Sequence, residues 1–108
     1  MIAKMRAIRD FDPADVTENE PFGFDFSTQL EPGETITDVV SFTINMVYGT
    51  DPDYLTRLGS PPSYDGTVVA NWVSGLQPNC KYRLTATVFT SLSKRLTLWA
   101  DVKGEMES

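Results

Sequence analysis

The chain contains no histidine and a single cysteine, Cys80. Without His, the commonest general base and the commonest metal ligand are both missing. One thiol cannot close an internal disulfide or build a zinc site, so no metal or cofactor is expected. It fits a reducing compartment, or a particle assembled in one. No run of about 18 apolar residues exists to cross a membrane, and no membrane partner is expected. Residues 1–9 are basic but lack the continuous apolar stretch of a secretory signal. Positive charge is scarce: nine Lys and Arg against fifteen Asp and Glu give a net charge of −6. Nucleic-acid binding needs cations set against phosphates, and this balance disfavours it.

What is present describes an ordinary globular domain. Hydrophobic residues make up 41% and charged residues 22% of 108 residues. That length suits one domain with its own core. Charge divides unevenly along it. Residues 1–9 carry Lys4, Arg6 and Arg9 and no acid, whereas nine acids and no Lys or Arg lie from Asp10 to Asp38. The pattern predicts an N-terminal arm over residues 1–20 followed by a folded body over residues 21–108. The arm is either a solvated tail or a segment that docks on a neighbouring subunit. Within it, Asp12-Pro13-Ala14-Asp15 reads as a short helical turn, with Asp12 as cap and Pro13 in the first position.

The body reads as strands. Phe22, Phe24 and Phe26 alternate with Gly23 and Asp25. Val40, Phe42, Ile44 and Met46 alternate with polar residues, as do Tyr82 to Val88 and Leu96 to Val102. A period of two over such lengths predicts strands with one buried face. Glu31-Pro32-Gly33-Glu34 is a turn. Residues 47–66 hold so many Gly and Pro that a long regular element is excluded there. A further strand is expected over residues 67–73, with Trp72 in phase with Val68 and Ala70 and therefore in the core. Short antiparallel strands joined by Gly/Pro turns predict an all-β sandwich or small barrel. Leu76-Gln77-Pro78-Asn79-Cys80-Lys81-Tyr82 has the spacing of a tyrosine corner, in which the Tyr hydroxyl bonds backbone upstream and pins a crossover between sheets. It resembles the corresponding stretch of fibronectin type III and immunoglobulin-like domains. Tyr82 is thus expected to be structural.

No catalytic constellation emerges. Without His, a base would have to be a carboxylate, Lys or Tyr, and the acids lie in turns, on polar strand phases or on the arm. An enzyme is not expected. Asp51, Asp53 and Asp65 lack the spaced ligand ladder of a calcium site. Trp99 takes the polar phase of its strand, so it is either covered by the arm or offered to a partner. Tyr48, Tyr54 and Tyr64 fall in the irregular segment, where they serve as lids over the sandwich end or as recognition residues. Stacked on sugars, they would make the alternative to a structural role, a carbohydrate-binding β-sandwich module.

The ordered set of motifs resembles a known family. Asp12-Pro13-x-x-Val16 is followed by Gly23-Phe24-Asp25-Phe26, then Leu30-x-Pro32-Gly33-Glu34-Thr35-Ile36. Gly75-Leu76 and the run from Tyr82 to Val88 come next, then Thr90-Ser91 and Arg95. Over residues 9–103 this is similar to small immunoglobulin-like virion proteins of tailed bacteriophages, of the fibre–tail adaptor type. The chain departs from that pattern in the middle: Phe42 stands where relatives carry Trp, and residues 47–66 are longer and Pro-rich. The resemblance implies an immunoglobulin-like, fibronectin III-like antiparallel sandwich and a structural virion protein without catalytic residues. It implies a place on the tail, assembly in the bacterial host cytoplasm, and other virion proteins of tail and fibre or spike as partners. A homo-oligomeric ring is expected. The expected contacts are residues 1–20 with Lys4, Arg6 and Arg9, the 47–66 segment with Tyr48, Tyr54 and Tyr64, and Trp99 as anchor.

Overall fold

The computed structural model describes residues 2–6, 14–15, 19–59 and 61–105, with side chains described from 21 to 59 and 61 to 104. Eight strands form two sheets: β1 (Ile2–Arg6), β2 (Ala14–Asp15), β3 (Asn19–Asp25), β4 (Ile36–Tyr48), β5 (Ser63–Asp65), β6 (Val68–Ser74), β7 (Lys81–Thr90) and β8 (Arg95–Glu105). The larger sheet runs β1-β8-β7-β4, with β2 on the same edge of β8 as β1, and the smaller runs β3-β6-β5. The pairings are antiparallel except those of β1 and β2, which run parallel to β8. No α-helix occurs among the described residues; two 3-10 turns cover Ser27–Gln29 and Tyr54–Arg57. The protein is an all-β sandwich.

Its core follows from the period of two. Phe22 and Phe24 of β3 and Val69 and Val73 of β6 face Phe42 and Ile44 of β4, the even residues of β7 from Tyr82 to Val88, and those of β8 from Leu96 to Val102; all are buried in one cluster. The Phe24 and Phe42 rings meet at 5.8 Å between centroids, joining the two sheets. Burying one such side chain stabilises by about 1.5–3 kcal/mol.

The structure differs from the sequence reading at three places. Trp72 is exposed, not in the core. The inward phase of β6 is Val69, Asn71 and Val73. Asn71 is satisfied there: its Nδ2 donates to the Gly59 carbonyl at 2.8 Å and its Oδ1 accepts from the Trp72 N–H at 2.9 Å. A bonded Asn can occupy a core position, and the indole then turns to solvent. Ala14–Asp15 are extended and pair with Gly104 and Glu105 instead of forming a helical turn; Asp12 and Pro13 lie outside the described residues. β4 is also longer than its alternation predicts, 13 residues, because register shifts at Ile36/Asp38, Val39/Ser41 and Met46/Tyr48 interrupt the period without ending the strand.

Candidate interaction surface

Two charged clusters stand at opposite ends of β7. At its start, where the chain crosses from the small sheet to the large one, Tyr82 is fully buried. Its hydroxyl accepts from the Gln77 N–H at 2.8 Å and donates to Asp51 Oδ2 at 2.7 Å. Burial is the main force pushing the Tyr82 hydroxyl's pKa up, and the Asp51 charge adds to it. Asp51, 5% exposed, also accepts from Arg57 Nε at 3.2 Å, Arg57 Nη2 at 3.1 Å and the Asp53 N–H at 3.1 Å. The Arg57 guanidinium holds its carboxyl below the ordinary value, helped by Tyr82 and Asp53 and opposed by burial. Asp51 is thus spent on tying the segment after β4 to the crossover. Among the described residues no group of three or more His, Cys, Asp or Glu could hold a metal ion.

At the far end, the turn before β4 is locked to the β7–β8 hairpin. Buried Glu34 accepts from the Thr90 hydroxyl and from the Glu31 N–H at 2.8 Å, and Lys94 Nζ bridges Glu34 at 3.3 Å and Glu31 at 3.0 Å. The Thr90 hydroxyl, followed by the Glu31 N–H, lowers the pKa of Glu34. Thr90 also accepts from the N–H groups of Leu92 and Lys94 at 3.3 Å, which shapes the hairpin.

The outer face of the large sheet carries the third cluster. Arg83 lies over the Trp99 ring at 3.9 Å and pairs with Asp101 at 2.8 Å; Lys81 reaches the same carboxylate at 3.8 Å. Thr87 and Thr97 hydroxyls meet at 2.8 Å, and Arg95 covers Phe89 at 4.7 Å. Trp99 is therefore half-buried beneath a guanidinium, a cation–π arrangement. The period of two already sets Asp101 beside Trp99 on one face of β8; only the register that places Arg83 opposite Asp101 brings the guanidinium to them.

The other residues singled out in the sequence are dispersed. Lys4 and Arg6 belong to β1, at the rungs of Thr97 and Trp99; Arg9 lies outside the described residues. Tyr48 ends β4 and is 47% exposed. Tyr54 is half-buried and packs on the core. Tyr64 donates its hydroxyl to the Thr37 carbonyl at 2.8 Å, linking β5 to the start of β4. Tyr64 and Tyr48 thus sit at opposite ends of β4, about 30 Å of strand apart, too far to flank one sugar ring.

What the fold defines is a small β-sandwich whose buried charges serve packing, with exposed apolar and basic surface left over. No helix among the described residues is long and apolar enough to cross a membrane. Residues 13–100 match the family model described as Podophage GP4 fiber-tail adaptor protein gp77. The chain belongs to that family of structural phage proteins, which bind other virion components and have their place in the virion. No curated protein matches the chain significantly, and neither does any solved structure.

Proposed function

We propose that the chain joins the phage tail to its fibres or spikes as a non-enzymatic, ring-forming adaptor, assembled with the tail in the host cytoplasm. The family match over residues 13–100 carries this reading. The charged clusters support a structural role, since each buried carboxylate among them is engaged by neighbours of its own chain. The strand order supports an immunoglobulin-like sandwich: β3-β6-β5 opposite β4-β7-β8 follows the division of strands in those domains, with the tyrosine corner at the crossover into β7.

The contacts are residues 1–20, with Lys4, Arg6 and Arg9, the 47–66 segment with Tyr48, Tyr54 and Tyr64, and Trp99. Leu55 at 66% exposure and Tyr48 at 47% give the segment apolar surface to bury. The edge of β8 that accepts β1 and β2 is a template that an arm from the same chain or from a neighbour can fill. Deleting residues 1–11 tests the arm. The truncated protein is expected to keep its β circular-dichroism spectrum and to be missing from purified particles. Normal incorporation would overturn the arm's role.

A further inference from the structure

Charge is divided between the two outer faces of the sandwich. β3, β5 and β6 contain no Lys or Arg. Their outward rungs pair Pro21 with Trp72 and Gly23 with Ala70, and place Asp25 and Asp65 on either side of Val68. Trp72 is 53% exposed and Val68 40%, so this is an apolar stripe edged with acid. On the opposite outer face, β7 and β8 carry Lys81, Arg83, Arg95 and Lys103 against two acids, Asp101 among them and Glu105 at the end of β8. The one charge on β4 is Asp38, near its start. Lys81 stands directly across from Lys103, a like-charge rung that Asp101, 3.8 Å from the Lys81 Nζ, offsets only in part. β1 brings Lys4 and Arg6 to the same sheet.

We propose that copies of this chain stack face to back, the Trp72 face of one seated on the Lys81–Lys103 face of the next. The inference rests on the oligomeric adaptor reading and names its interface. The complement of the acid-edged apolar stripe is present on the chain itself, which is the argument for a second copy as occupant. At a net charge of −6 random encounters between copies are repulsive, and the face-to-back orientation sets opposite signs against each other. The two faces differ and lie on opposite sides of the sandwich, so the contact is head-to-tail. Repeated, it closes into a ring or runs on as a filament, and it cannot make a two-fold dimer.

Sedimentation velocity on the full chain tests this. Ser63→Lys with Asp65→Lys reverses the charge of the small-sheet face, and Arg95→Glu with Lys103→Glu reverses that of the other. The wild type is expected to form salt-sensitive assemblies larger than a dimer. Each double variant is expected to be monomeric, and their equimolar mixture to reassemble, because each restores the sign its partner lacks. Misfolding would not give that rescue. Trp72→Ser, which alters no charge, is expected to weaken assembly at least tenfold. A monomeric or dimeric wild type, variants that assemble unchanged, or a mixture that stays monomeric overturns the stacking. Particle incorporation is read separately. A wild-type chain that is monomeric in solution but enters particles leaves the adaptor reading standing; its absence from particles refutes that reading whatever the sedimentation.

Discussion

Replacing Asp51 with Ala is the sharpest perturbation of the sandwich. It removes the acceptor of the buried Tyr82 hydroxyl at 2.7 Å, both Arg57 contacts and the Asp53 N–H bond. A buried donor left without its acceptor costs about 1–3 kcal/mol. Breaking a buried ion pair from one side costs about 3–5 kcal/mol, but the Arg57 side chain is 22% exposed and water can take up part of its charge. The loss expected is therefore about 3 kcal/mol, a large share of the roughly 5–15 kcal/mol that holds a domain together. In urea, with a slope of about 1–2 kcal/mol per molar, the midpoint should fall by about 2 M. Tyr82→Phe should cost about 2 kcal/mol, and the double variant should be less unstable than the two losses added, by about 1 kcal/mol, because both remove the same bond. Asp51 titrates lower in the folded chain than its ordinary 3.8. Its stabilisation is thus fully present above that value and fades as pH falls through the depressed folded pKa; Asp51→Asn should flatten this part of the acid-unfolding curve. A loss under about 1 kcal/mol for Asp51→Ala, or additive effects in the cycle, would refute the reasoning.

Other outcomes follow from close packing and burial. A Cβ at Gly104 would fall on the Gln77 carbonyl, while the Gly104 N–H already bonds the Cys80 carbonyl at 3.0 Å. Gly104→Ala should cost more than about 3 kcal/mol in chemical denaturation, and a neutral effect would contradict this approach of backbones. Cys80 is free and buried, with its thiol toward the Thr50 carbonyl at 3.6 Å. A thiol reagent should label it only as fast as the chain unfolds; rapid labelling under native conditions would show the site to be open. Glu34 titrates below its ordinary value, so its lock on Thr90 should persist above that value and loosen as pH falls through the depressed folded pKa. Hydrogen exchange of the β7–β8 hairpin at pH 3 and pH 7 would detect this, and equal protection at both would count against it.

The long central strands were legible because an uninterrupted period of two needs no tertiary information: Phe22 to Phe26, Tyr82 to Val88 and Leu96 to Val102 all kept their inward phase. β6 misled because it carries valine on both faces, Val68 outward and Val69 inward. Its phase was decided by Asn71, whose partner Gly59 lies in another segment. β5, three residues long, has no pattern of its own and exists by pairing with β6. The same holds for Asp51. Beside Pro52 and Asp53 it reads as a surface loop acid, and only the fold reveals Tyr82, 31 positions away, as its partner. Spacing does suggest the Gln77 to Tyr82 bond, because both of its ends lie within one short corner.

The parallel run of β1 along β8 bears on how the molecule carries load. Ile2 sits beside Arg95, so tension applied at the front of β1 and at the back of β8 pulls the two strands past each other along their length. The rungs between them are then strained together, in shear, and do not peel open one at a time. A load applied along that line would have to break the rungs from Ile2 to Arg6 together.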